Sequence, residues 1–196
     1  MKKLLTLLIV AALAVSMVAC SAPKESSSVE STPSVSESSP ESSEAPDESL
    51  EAPVEFDIPE ENQKLGDIIN ASRPAEFNEY NPAVLSKDDP NAEMLAEVMG
   101  INYDDMKAFA FSTSAMMTQA YSVGIFQPAE GKDEAVLKSV NGFVEKQQKA
   151  FEQYLADQKE IADAATVDVL DDGTIVLVMS EGGEAIQKAI LEALKK

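Results

Sequence analysis

From Ser21 to about Val54 the chain is almost all Ser, Glu and Pro, as in Ser38-Ser39-Pro40-Glu41-Ser42-Ser43-Glu44. No aromatic residue interrupts it, and its few apolar side chains cannot offset the entropy of ordering the backbone. Pro23, Pro33, Pro40, Pro46 and Pro53 stiffen it locally and like charges extend it, so a disordered tether is expected. The folding problem is thereby confined to residues 55–196. These are about 140 residues, enough for one domain with one core.

What precedes the tether has a different character. Met1-Lys2-Lys3 is positive, Leu4 to Val15 is almost continuously apolar, and Ser16-Met17-Val18-Ala19-Cys20 follows. A spanning helix needs about 20 apolar residues, so residues 1–19 fit a cleaved signal peptide better than a membrane span. Val18-Ala19-Cys20 resembles the lipobox of bacterial lipoproteins, with Met17 where Leu is usual. The resemblance implies a diacylglycerol on the thiol of Cys20, cleavage just before it, and a lipid-anchored chain on the extracytoplasmic side of the cell membrane. Two acyl chains suffice for stable anchoring. The competing reading is an ordinary secretory signal with an accidental Cys. Against it stands the position of Cys20, the chain's only cysteine.

Composition removes several chemistries. The formal net charge is −20, and loss of Lys2 and Lys3 with the leader takes it two further, to −22. Such a surface repels nucleic acid and anionic headgroups, so no nucleic-acid partner is expected. The chain has no His and no Trp. With Cys20 in the anchor, the domain lacks a disulfide, a thiolate zinc site, a thiol nucleophile and an imidazole base. No cofactor is expected.

The domain reads as alternating helices and strands. Glu60 to Ala71 places Leu65, Ile68 and Ile69 on one helical face, and Pro74 closes it. Arg73 to Lys87 reads as irregular or short-strand chain. Asp89-Pro90 opens a second helix with Met94, Leu95 and Val98 as its buried stripe and Gly100 as its C-cap. Met106 to Thr113 and Tyr121 to Gln127 alternate as strands around a Ser114 to Ala120 loop. Gly131 to Leu155 is the longest helical pattern, with a bend expected at Asn141-Gly142. Thr166 to Leu170, Asp171-Asp172-Gly173 and Thr174 to Ser180 form a hairpin signal. Ile175, Leu177 and Met179 on one face and Val176 and Val178 on the other predict an interior strand. Glu184 to Leu194 closes the chain as a helix. The expected fold is α+β: an antiparallel sheet of about four strands with helices packed on one face.

Residues from about Glu93 to Leu194 resemble the domain of unknown function 4358, a family found in lipoproteins of Gram-positive bacteria, chiefly clostridia. The resemblance rests on Met99-Gly100-Ile101-Asn102-Tyr103-Asp104-Asp105-Met106, Ser122-Val123-Gly124-Ile125-Phe126-Gln127-Pro128, Phe151-Glu152-Gln153-Tyr154-Leu155 and Gly173 to Met179. Ala156 replaces a frequent Pro, and the basic helix position is thinned to Lys146. The family has no assigned activity, so the resemblance implies fold and location and transfers no functional residue.

The carboxylate pairs Asp88-Asp89, Asp104-Asp105 and Asp171-Asp172 lack the alternating spacing of a calcium loop. Asp89 and Asp104 are expected as caps, and Asp171-Asp172-Gly173 as a turn. Ser112-Thr113-Ser114 has no His and no Ser-x-x-Lys base, with Lys107 upstream. Tyr103, Tyr121 and Tyr154 read as aromatics at the edge of the core. Met116-Met117 is the one odd feature, soft side chains expected to pack under their loop rather than to bind copper. The sequence thus predicts a non-enzymatic binding or accessory module that contacts an envelope protein or cell-wall polymer. The alternative is an enzyme acting on cell-wall material through carboxylates, which needs two carboxyls across a cleft.

Overall fold

A computed structural model describes residues 56–153 and 155–195. Cys20, the expected signal peptide at 1–19 and the tether at 20–54 lie outside the described residues, as does Tyr154.

Four antiparallel strands form one sheet in the order β1-β2-β4-β3. β1 (Met106–Thr113) pairs with β2 (Ser122–Pro128) through Phe109↔Phe126 and Phe111↔Gly124. β3 (Thr166–Val169) and β4 (Ile175–Met179) are the expected hairpin. β4 lies between β2 and β3 and all five of its residues are buried, as apolar residues on both of its faces required.

The helices cover both faces of the sheet rather than the single face expected. Phe109, Phe111, Phe126, Ile175, Leu177 and Met179 form one core with α3 (Ala92–Met99) and α4 (Asp133–Ala150). Ala108, Ala110, Val123, Ile125, Val176 and Val178 form a second with α1 (Glu60–Ser72) and α6 (Gly183–Leu194). The reason is the alternation itself. Every strand of the central pair carries apolar side chains on both sides, and each side must be taken out of water. Gly124 is required at the crowded centre, because a Cβ there would sit 2.6 Å from the Phe126 ring.

Three local expectations change. Arg73 to Lys87 is not wholly irregular: α2 (Glu76–Tyr80) forms within it. It starts as a turn, with Phe77 N–H donating to the Pro74 carbonyl, and is held by Phe77 stacking on Tyr121 at 4.7 Å. Its five residues are too few for periodicity to reveal. The long helix runs unbroken through Asn141-Gly142 but stops at Ala150, well short of Leu155. Leu155 takes the left-handed φ of 57°, which separates α4 from a further helix, α5 (Ala156–Asp163). In α3, Met94 is exposed, and the buried set is Ala92, Leu95, Ala96 and Met99. Gly100 does end that helix in the left-handed conformation.

Both sheet edges are protected. Val84 forms a bridge with Phe111 on the β1 side, and the buried Asn62 accepts the Phe109 N–H at 2.9 Å while donating to the Leu85 carbonyl. β3 is short, and its Asp168 accepts a hydrogen bond from Gln187 of α6.

Candidate functional site

Tyr80, Met94, Met116, Met117 and Val169 are the large apolar side chains left exposed among the described residues. Tyr80, Met94 and Met116 line one groove of about 280 Å³, and Met117 follows in the same loop. One wall is the end of α2 with Asn81 and Pro82; the other is the start of α3, with Asp89, Asn91 and Leu95. Val84 and Thr113 form the floor, and Ser114, Ala115 and Met116 the lip.

The groove is built on hydrogen bonds that the sequence did not reveal. Tyr121, 3% exposed, is the common support. Its carbonyl accepts from Ser114 N–H at 3.0 Å and from the Thr113 hydroxyl at 3.1 Å, which fixes the lip. Its own hydroxyl accepts from Arg73 Nη1 at 2.6 Å. Arg73 also donates to Asn78 and Asn70, so its three partners are neutral oxygens. A buried guanidinium needs compensation. Arg73 is the C-cap of α1, where the unpaired carbonyl end of the helix supplies partial negative charge. The α2 wall is held further by the Ser112 hydroxyl, which donates to the Asn81 carbonyl at 2.6 Å. In the lip, Met116 N–H donates to Ser114 Oγ and Gln119 N–H to the Met116 carbonyl. Met116 and Met117 therefore do not pack under the loop; a fixed backbone turns them outward.

A larger, open cleft of about 880 Å³ lies between α5 and the β4–α6 turn. Asp157 and Glu160 line one side, Glu181 and Glu184 the other, with Lys188 beside them. All five side chains are exposed. Asp157 and Glu184 stand in the first turns of their helices, where a carboxylate complements the positive end of the helix. A hydrogen bond from Gln158 holds the Asp157 carboxyl below its ordinary value, the opposite of what a general acid requires.

The remaining candidates are structural. Asp89-Pro90 does not open α3, whose N-cap is Asn91; Asp89 instead accepts the Asn91 N–H at 2.7 Å and shapes the turn before the helix. Asp104 is not the cap of the short 3-10 turn Tyr103–Asp105; Asn102 is, accepting the Asp104 N–H at 3.1 Å. Asp105 pairs with Lys132 at 2.7 Å. Asp172 accepts the Thr174 N–H at 2.9 Å and shapes the hairpin turn. The Tyr103 hydroxyl donates to the Ala92 carbonyl, and burial, with Asp89 adding to it, pushes it above its ordinary range. No group of three or more His, Cys, Asp or Glu placed to hold a metal occurs among the described residues.

The model of a protein family, the domain of unknown function (DUF4358), matches residues 84–180. That segment holds the whole sheet with α3, α4 and α5, and leaves α1, α2 and α6 outside. It begins and ends earlier than the span of about 93–194 that the sequence suggested. No curated protein and no solved structure matches the chain.

Proposed function

With a domain of this family at residues 84–180, we propose that the protein is a lipid-anchored, extracytoplasmic binding or accessory module whose contact site is the groove between α2, α3 and the β1–β2 loop. The observation that carries the reading is the gathering of Tyr80, Met94 and Met116 on a groove with a hydrogen-bonded frame. Exposed apolar side chains on a fixed concave surface are what a contact site offers. The partner that fits is an envelope protein or a cell-wall polymer. Address comes from the Val18-Ala19-Cys20 context and from the family resemblance to lipoproteins of Gram-positive bacteria.

A photocrosslinking residue placed at Ala115, on the groove's lip, tests the contact, with Val169 on the β3 edge as the control position. Discrete adducts from position 115 in intact cells, reduced by Tyr80→Ala and not seen from position 169, are expected. Equal adducts from both positions, or none from 115, would overturn it.

The second reading, a carboxylate enzyme acting on wall material, draws on the cleft carrying Asp157, Glu160, Glu181 and Glu184. It is the weaker of the two. All four side chains lie in solvent, whereas retaining or inverting glycoside hydrolysis calls for one carboxyl kept protonated by its surroundings.

A further inference from the structure

We propose that the groove takes an uncharged saccharide bearing acetamido groups, with a pyranose ring laid on Tyr80. The inference rests on the contact reading above and names the chemistry of what fills that site. Tyr80 lines the groove and is 80% exposed. Among the described residues no other aromatic ring stacks on it. A tyrosine ring left in solvent forgoes the burial that its apolar body favours. The C–H face of a pyranose is apolar, and its hydrogens meet the negative face of an aromatic ring.

The walls supply what sugar hydroxyls need. Asn81 on the α2 side and Asn91 on the α3 side both line the groove. Each spends backbone groups on the fold: the Asn81 carbonyl accepts from the Ser112 hydroxyl, and the Asn91 N–H donates to Asp89. Among the described residues neither side-chain amide has a hydrogen-bond partner. An amide offers donor and acceptor together, as a sugar hydroxyl does. Charge narrows the ligand further. Asp89 is the one charged side chain in the lining, which holds no Lys or Arg. With nothing cationic to pair a phosphate or carboxylate, and a formal charge of −20 on the chain, an anionic polymer is repelled. Pro82, Met94 and Met116 add an apolar border that suits the methyl of an acetamido group. At about 280 Å³ the groove lies at the small end of ligand sites, a size for sugar units rather than for a folded segment. No second carboxylate faces Asp89 across it, so the site holds a glycan without cleaving it.

The test uses the full chain, carrying ¹³C-methyl methionine, in a detergent without a sugar headgroup. Tetra-N-acetylchitotetraose is titrated beside cellotetraose, which has the same linkage and no acetamido groups. Saturable movement of the Met94 and Met116 signals by chitotetraose is expected, with those of the buried Met99, Met106 and Met179 staying in place. Cellotetraose is expected to bind more weakly. Tyr80→Ala is expected to weaken chitotetraose binding by about tenfold, and Tyr80→Phe, which keeps the ring face, to retain it. Unmoved Met94 and Met116 signals, equal binding of the two tetramers, or binding unchanged in Tyr80→Ala would overturn the inference. Protein adducts from position 115 without a response to chitotetraose would keep the contact reading and overturn the saccharide alone.

Discussion

Arg73 Nη1 donates a hydrogen bond of 2.6 Å to the Tyr121 hydroxyl, joining the C-terminal end of α1 to the start of β2 across 48 positions of sequence. Both residues are buried. The bond sits behind the groove rather than in it. The same Tyr121 holds the loop that forms the groove's lip, and its ring stacks on Phe77 of α2, which forms a wall. Tyr121→Phe keeps the ring and the stacking but leaves a buried guanidinium short of one acceptor. Destabilisation by about 1–3 kcal/mol is expected, read from urea unfolding. An unchanged midpoint would mean that water replaces the hydroxyl without cost.

Two glycines are expected to respond to alanine with opposite signs. At Gly124 the new Cβ would meet the Phe126 ring at 2.6 Å and the Phe111 Cβ at 3.2 Å, between two side chains that have no room to retreat. Gly124→Ala is expected to cost about 1–3 kcal/mol. Gly142 is exposed on α4, and a Cβ there would meet nothing within 4 Å. Gly142→Ala is expected to stabilise the domain by about 0.5–1 kcal/mol. Thermal melts of the two variants beside the parent decide both signs.

The hairpin turn carries a pH dependence of known direction. The Thr174 backbone N–H is the main cause that holds the Asp172 carboxyl below its ordinary value of 3.8. A group whose pKa is depressed by folding contributes stability above its unfolded pKa and loses it as pH falls through the folded value. The stability advantage of the parent over Asp172→Ala is therefore expected to be full at neutral pH and to shrink as pH drops below 3.8. Denaturant midpoints of both proteins across that range supply the check. A difference independent of pH would remove the carboxylate from the account.

Mild peroxide treatment is expected to convert Met94, Met116 and Met117 to sulfoxides before Met99, Met106 and Met179, because oxidation follows exposure. Peptide mass mapping at partial conversion reads the order. Early oxidation of Met99 or Met179 would mean that the core opens more readily than its packing allows.

Much of the frame was legible in the sequence, and the groove was not. Strand alternation around Phe109 and Phe111, the Asp171-Asp172-Gly173 turn and the Gly100 cap are local signals. Each stands in the structure where the residues put it. What escaped depends on contacts between distant segments. α2 is held by the Phe77–Tyr121 stack, and the break before α5 by a left-handed Leu155 that no residue preference announces. Met94 sits at a position that suits a buried stripe, yet smaller Ala92 and Ala96 fill the interface beside Leu95 and Met99. The second helical layer follows from the apolar residues on both faces of 175–179, which leave two sides of the sheet to be covered.

The proposed lipid anchor would hold this domain outside the cytoplasm, and the mass and labelling of Cys20 test that most directly. Cells fed an alkyne fatty acid are expected to yield a labelled protein in the membrane fraction, its N-terminal peptide beginning at a diacylglyceryl Cys20, while Cys20→Ser is unlabelled and stays unprocessed or is released. An unlabelled wild-type protein, or one that keeps residues 1–19 with a free thiol at Cys20, would contradict it.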